Sequence, residues 1–167
     1  MLNIRPATRD DLQPITAIYN EAIRTSTATF DIDPKTAEEQ QRWFDRHEQR
    51  HPILVAESED DVVGWGCLSP WSDRPAYDVT AAFSFYVAAP HRGRGVGTQL
   101  LEALITEARR LEYRSLLGCI AEGSEASLRL VRKRGFRQAG LLRQAGHKFG
   151  RVLDVRLMQL LLTTERL

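Results

Sequence analysis

The chain has 167 residues, 43% of them hydrophobic and 27% charged, with 23 Lys and Arg against 22 Asp and Glu for a net charge of +1. That length fits one domain spanning residues 1–167, able to bury about two-thirds of the surface its unfolded chain exposes. A balanced charge argues for neither nucleic acid nor a membrane surface, no apolar run approaches a membrane span, and the polar N-terminus does not read as a signal peptide.

In chain order, Leu2–Arg5 reads as a short strand. Thr8 and Asp11 have capping-box spacing, and Leu12, Ile15, Ile18, Tyr19, Ala22 and Ile23 then repeat at helical period, with Pro14 tolerated in the first turn. Thr25–Asp33 is polar and irregular. Thr36 to about Gln49 is expected as a second helix, with Trp43 and Phe44 on its buried side. Ile53–Glu57 and Val62–Ser69 are apolar runs joined by Ser-Glu-Asp-Asp, a hairpin signal. Pro70–Asp78 reads as a loop and Thr80–Val87 as a strand. A helix runs from Val96 to about Glu112, its stripe formed by Leu100, Leu101, Leu104, Ile105 and Ala108. Ser115–Ile120 is a strand. Ser124 is the expected N-cap of a helix through Arg134, stopped by Gly135. Phe136–Leu142 and Val152–Leu161 close the chain as strands. The order β α α β β β α β α β β implies a mixed sheet with helices on both faces, an α/β or α+β fold. Cys67 and Cys119 fall in apolar strands without metal or redox spacing, so they read as buried thiols in a reducing compartment, and no metal is expected.

The densest chemical signal lies between the strand ending at Val87 and the helix opening at Val96. The segment Arg92-Gly-Arg-Gly-Val-Gly-Thr98 combines glycines that let backbone N–H groups converge, a helix N-terminus and two guanidiniums. Together these form a pyrophosphate cradle. A P-loop is excluded because no lysine precedes Thr98. A Rossmann turn is excluded because the third glycine position, counted from Gly93, holds Thr98, and the acidic residue near the required distance of about twenty residues, Glu112, closes a helix rather than a strand.

The motif R-G-x-G-x-G at a strand–helix junction resembles the acetyl-CoA loop of the GNAT superfamily of N-acetyltransferases, with Arg92, Gly95 and Gly97 filling the pattern. Three further segments narrow the resemblance. They are Ile18-Tyr-Asn-Glu-Ala with Thr27-Ala-Thr-Phe30 and Trp43-Phe44; Pro52-Ile-Leu-Val-Ala-Glu57 with Gly64-Trp65; and Gly146-His-Lys-Phe-Gly-Arg-Val-Leu-Asp154 with Met158-Gln-Leu160. These are similar to the phosphinothricin, methionine-sulfoximine and arsinothricin acetyltransferases over residues 2–160. The resemblance implies a central, mostly antiparallel twisted sheet with a splayed middle strand. It also implies acetyl-CoA as cofactor, a small amino-acid-like acceptor acetylated on its α-amino group, a cytoplasmic location and a homodimer. By position, Phe85, Tyr86 and Val87 would meet the pantetheine arm, and the Val87 N–H would polarise the thioester. Gly93, Arg94, Gly95, Val96, Gly97 and Thr98, with Arg92, would hold the pyrophosphate. Ser124 stands where relatives place an asparagine against the cofactor. Phe30, Ser72, Asp73, Arg74, Ala82, Phe83 and Ser84 would form the acceptor site, with Arg74 for its carboxylate.

Attack by an α-amine needs a proton removed and donors for the developing oxyanion. Relatives carry Thr-Val-Glu-His-Ser before the Tyr-Val pair, with the glutamate as base; here the stretch is Thr80-Ala-Ala-Phe-Ser84, so Ala82 holds that position. Val131 stands where relatives have His or Tyr. Three explanations stay open: proton transfer through water, substitution by Glu122, Ser84, His91 or His147, or cofactor binding without efficient turnover. The run Arg129, Arg132, Lys133, Arg134 is read as a solvated helix face in preference to a contact for a 3′-phosphorylated nucleotide at the sheet edge.

Overall fold

A computed structural model describes residues 1–47 and 50–162. Its elements are β1 (Asn3–Pro6), α1 (Leu12–Thr25), α2 (Ala37–Asp45), β2 (Ile53–Ser58), β3 (Asp61–Pro70), β4 (Thr80–Val87), α3 (Val96–Arg110), β5 (Ser115–Ala121), α4 (Glu125–Lys133), β6 (Arg137–Lys148) and β7 (Arg151–Leu161). The order is the one expected. The strands form one sheet in the order β1-β2-β3-β4-β5-β7-β6, antiparallel throughout except for β4 beside β5.

Alternation along the strands divides the core into two layers. Leu54, Ala56, Leu68, Ala81 and Phe83 pack with Leu100, Leu101, Leu104, Leu128 and Val131 beneath α3 and α4. Ile53, Val55, Trp65 and Cys67 pack with Ile15 and Ile18 of α1 on the other face. Trp43 and Phe44 of α2 lie half-buried against that second cluster. The start of α1 is held by Asp11, which accepts from the Thr8 N–H at 2.7 Å and receives a two-pronged Arg5 guanidinium at 2.8 and 2.9 Å. Those Arg5 hydrogen bonds hold the Asp11 carboxyl below the ordinary carboxylate range.

Three local expectations need correction. Helix α2 ends at Asp45, ahead of the expected end at Gln49, which lies outside the described residues. The last two strands are longer and nearer each other than expected. β6 runs on to Lys148, and Phe149 and Gly150, both at positive φ, turn the chain directly into β7. Cys119 is exposed rather than buried, and it borders the opening left where β4 parts from β5. Cys67 is buried as expected, which pushes its thiol up to about 12.

The departure of β4 is the feature that builds the site. β4 pairs with β5 only at Thr80–Ser115, Ala81–Leu116 and Ala82–Leu117. Beyond that, β4 stays with β3 as far as Val87, while β5 stays with β7. The ring of Phe83 lies across Gly118, where an added Cβ would overlap it, and packs on Phe136 at 4.9 Å between centroids. Phe83 thus floors the opening on the α3/α4 side. Gly118→Val should overpack this contact and lower stability by about 1–3 kcal/mol in urea denaturation.

Candidate active site

Two clefts meet where β4 leaves β5. The larger, of about 570 Å³, is lined by Phe85, Tyr86, Val87, Arg92, Gly93, Gly95, Gly97, Thr98 and residues of α1 and α4. The smaller lies in the opening itself, between Phe83–Tyr86 on one side and Gly118–Ala121 on the other, and shares Ser124 and Ser127 with the first.

Backbone geometry supplies the donors. The Ala88 N–H donates to the Val63 carbonyl at 3.0 Å. Since N–H directions alternate along a strand, those of Phe85 and Val87 point away from β3, toward the side that β5 has vacated. Gly93 and Gly95 have φ of +74° and +86°, the left-handed values that open the turn into α3. Gly97 is needed for space, because a Cβ there would come within 3.3 Å of both Leu130 and Phe85. Gly64 and Gly66 of β3 do the same beneath α3, whose Val96, Leu100 and Leu104 close onto them. The free N–H groups of the first turn of α3 therefore face the cleft at the end of β4.

The structure divides the expected cofactor residues. Arg92, Gly93, Gly95, Gly97, Thr98 and Ser124 line the cleft together with the Phe85–Val87 strand. Val96 is buried in the core, and Arg94 is exposed outside the cleft lining. Arg92 donates from Nε to the Val87 carbonyl at 2.9 Å and pairs with Glu21 of α1 at 3.2 Å, tying the strand end to α1. Ser124 occupies the N-cap position of α4 without making a side-chain cap, which corrects the expected capping role. Arg134 pairs with Glu102 at 2.7 Å, and none of the basic run lines the cleft.

The expected acceptor residues fall into separate places. Ser72 and Asp73 border a cavity of about 380 Å³ near Thr80 and Tyr113, and Arg74 is exposed beside them. Ser84 and Tyr86 face the α1/α2 side, into a cavity of about 540 Å³. Alternation turns Ala82 the same way, whereas Phe83 faces the opposite layer and is buried. Phe30 packs its ring against Gly146 of β6. Val131, at the position of a candidate acid, is fully buried among Leu128 and Phe136.

Among the described residues, no carboxylate or imidazole lines either cleft. Glu122 accepts weakly from the Asp154 N–H on the outer surface, and His147 lies exposed on β6. Tyr86 borders both clefts, but burial raises its pKa far above neutrality, so its phenol stays protonated.

Sequence reasoning missed a polar network behind this wall. The Tyr19 hydroxyl donates to Asp31 at 2.6 Å and contacts Thr29 Oγ1 at 3.0 Å; buried Lys148 donates to the Thr29 carbonyl at 2.7 Å. Spacing gave no signal for a contact 119 residues apart.

A sequence profile of the Acetyltransferase (GNAT) family matches residues 15–136. The L-methionine sulfoximine/L-methionine sulfone acetyltransferase of Pseudomonas aeruginosa is 40% identical, covering 98% of this chain and 96% of that one. The phosphinothricin N-acetyltransferase of Streptomyces coelicolor is 34% identical over 92% of each. A GNAT superfamily phosphinothricin acetyltransferase from Sinorhizobium meliloti, solved in complex with acetyl-CoA, superposes with a TM-score of 0.93 at 31% identity, covering 96% of this chain and 88% of that one.

An added Cβ at Gly95 meets nothing within 4 Å. Gly95→Asp should therefore keep the fold while straining the turn and placing negative charge in the cradle. Calorimetry should show a loss of acetyl-CoA affinity of about tenfold or more.

Proposed function

This chain belongs to the GNAT family of acetyltransferases and is an acetyl-CoA-dependent N-acetyltransferase, and from that premise we propose that it acetylates the α-amino group of a small amino acid or amino-acid-like toxin of the phosphinothricin, arsinothricin or methionine sulfoximine type. The observation that carries this reading is the meeting of the glycine cradle, the first turn of α3 and the outward N–H groups of β4 at one opening in the sheet.

The residues present fit the cofactor. Gly93, Gly95, Gly97 and Thr98 would hold its pyrophosphate, and the β4 edge from Phe85 to Val87 would pair with its pantetheine arm. When bound, acetyl-CoA supplies the thioester carbonyl that the amine attacks. The Val87 N–H would donate toward that carbonyl oxygen, held in place by the Ala88–Val63 hydrogen bond behind it and by Arg92 on its own carbonyl. Phe83 and Phe85 exclude water from one side of the opening. The amine must arrive neutral. With Ala82 where relatives carry glutamate, its proton leaves through water, and rate comes from orientation and the Val87 amide.

The reading extends to one acetyltransferase domain over residues 1–167 that works as a cytoplasmic homodimer. Support for the dimer comes from β6, an edge strand whose hairpin leaves Leu142 at 51%, Phe149 at 55% and Val152 at 58% exposure. Among the described residues, no helix is long and apolar enough to cross a membrane.

One observation favours a second reading, an acetyl-CoA-binding protein with a different acceptor or little turnover: among the described residues, no carboxylate or imidazole lines the cleft walls. Release of free CoA thiol, followed with phosphinothricin, arsinothricin, methionine sulfoximine and ordinary amino acids, separates the two. Turnover on one of them supports the transferase, and silence with acetyl-CoA still bound supports the second reading.

Without a carboxylate base, kcat/KM should climb with pH in step with the acceptor's own amine ionisation. Ala82→Glu should move the rise toward lower pH. An unmodified enzyme already on a plateau near pH 6 would rule out proton transfer through water alone.

A further inference from the structure

The split between β4 and β5 leaves the sheet in two halves, joined directly by three residue pairs at its base. On the α3/α4 face, Phe83 spans the gap by lying over Gly118 and packing on Phe136. On the other face the gap is crossed by the loop of residues 26–36, which leaves α1 and enters α2. α1 itself packs on β2 and β3, in the half that carries β4. The loop reaches the opposite half at three points. Thr27 Oγ1 donates to the Glu122 carbonyl just past β5, Phe30 lies on Gly146 of β6, and Lys148 Nζ donates to the Thr29 carbonyl at 2.7 Å.

Of these ties, the Lys148 hydrogen bond is the one that packing does not explain. Lys148 is only 3% exposed. Burial pushes its ammonium below the ordinary lysine range, and the charge of Asp31 opposes that shift. An apolar side chain of similar length would fill the space without the cost of burying a charge. What the ammonium adds is direction: it holds one carbonyl oxygen of the loop at a set distance from the end of β6.

The other end of this contact lies at the opening. Tyr19 of α1 donates to Asp31 at 2.6 Å, which uses its one proton. In the 3.0 Å contact between Tyr19 and Thr29 the threonine hydroxyl is therefore the donor. Thr29 is thus held through its carbonyl from β6 and through its hydroxyl from α1. The Tyr19 ring meets Tyr86 of β4 edge-on, 5.0 Å between centroids. Tyr86 borders both the opening and the cofactor cleft, and so does Ala28, the residue before Thr29. A shift of Thr29 is therefore passed to the walls between which amine and thioester would meet.

We propose that Lys148 is a positioning residue for acetyl transfer: through the Thr29 carbonyl its ammonium straps the α1–α2 loop across the split sheet and sets the place of Ala28 and Tyr86 at the opening. The proposal rests on the acetyl-transfer reading and deepens it.

The test compares the full chain with Lys148→Met, which keeps the stem and removes the charge, and with Tyr19→Phe, which cuts the strap at its other anchor. Hydrogen exchange read by mass spectrometry follows the loop and needs no acceptor. Peptides covering residues 26–32 include the Ala28 and Asp31 amides, both hydrogen-bonded within the loop. In each variant these peptides should exchange about tenfold or more faster, while those of β2 and β3 keep their rates. With methionine sulfone and phosphinothricin as acceptors, kcat should fall about tenfold or more. The KM for acetyl-CoA and its affinity by calorimetry should stay within about threefold, because the glycine cradle is untouched. Unchanged loop exchange in either variant would overturn the strap. Faster exchange throughout the protein would overturn it as well, since Lys148 would then serve general stability alone. A loss of acetyl-CoA affinity as large as the loss of kcat would overturn the positioning role. A loosened loop with undiminished kcat would overturn that role and keep the transferase. No acetyl transfer by the unmodified protein to any acceptor, with the loop responding as expected, would overturn the transferase and keep the strap.

Discussion

The parting of β4 from β5 after Ala82 is the constraint on which the rest of the site depends. A closed sheet would satisfy every backbone donor of β4 and leave nothing for a ligand. Here the strand keeps β3 on one side, so it stays rigid, and gives up its partner on the other, so its N–H groups are available. The split is stable because both strands find full pairing elsewhere, and because Phe83 lies over Gly118 and seals the lower face with apolar carbon. Binding groups carried on paired strands also lose less freedom when a ligand arrives than the same groups on a loop.

Glycine sets the second coordinate. Gly64 and Gly66 let α3 lie close to β3, and Gly93 and Gly95 let the chain turn sharply enough to aim the first turn of that helix at the end of β4. The α1–α2 loop is fixed from other directions: by Phe30 on Gly146, by Lys148 on the Thr29 carbonyl, and by Thr27 on the Glu122 carbonyl at 2.7 Å. The α1–α2 loop is thus held by parts of the chain far apart in sequence, whereas the glycine turn from Arg92 to Thr98 is one continuous stretch.

That difference explains what could be read in advance. The glycine turn from Arg92 to Thr98 was legible because local glycine spacing at a strand–helix junction marks it, and the order of strands and helices followed from periodicity and turn signals. The length of β6 was not legible, since Gly140 and Gly146 interrupt the strand pattern and two register shifts absorb them. Cys119 was misjudged because a central strand is normally covered on both faces, and here Cys119 lines the opening beside β4. Gln40 carried a usable signal: it lies three and four residues before Trp43 and Phe44, on the stripe of α2 that packs inward. A carboxamide on such a stripe is a buried polar group in need of a partner.

Ala82 and Val131, at the positions where the resemblance implies a glutamate and a His or Tyr, sit in different physical settings. Val131 is absorbed into the core, fully buried beside Leu128 and Phe136, so restoring a polar group there would cost packing as well as desolvation. Ala82 is only half-buried and faces the α1/α2 side in line with Ser84, where a longer side chain can be accommodated. The fold therefore fixes an apolar side chain at position 131 and leaves room for a longer one at position 82. Under the proposed reading, the Val87 amide and the orientation imposed by β4 are what this scaffold contributes to the reaction. An acceptor held at its far end as well as at its amine would gain the most from such a site, because positioning is the source of rate that does not require a base.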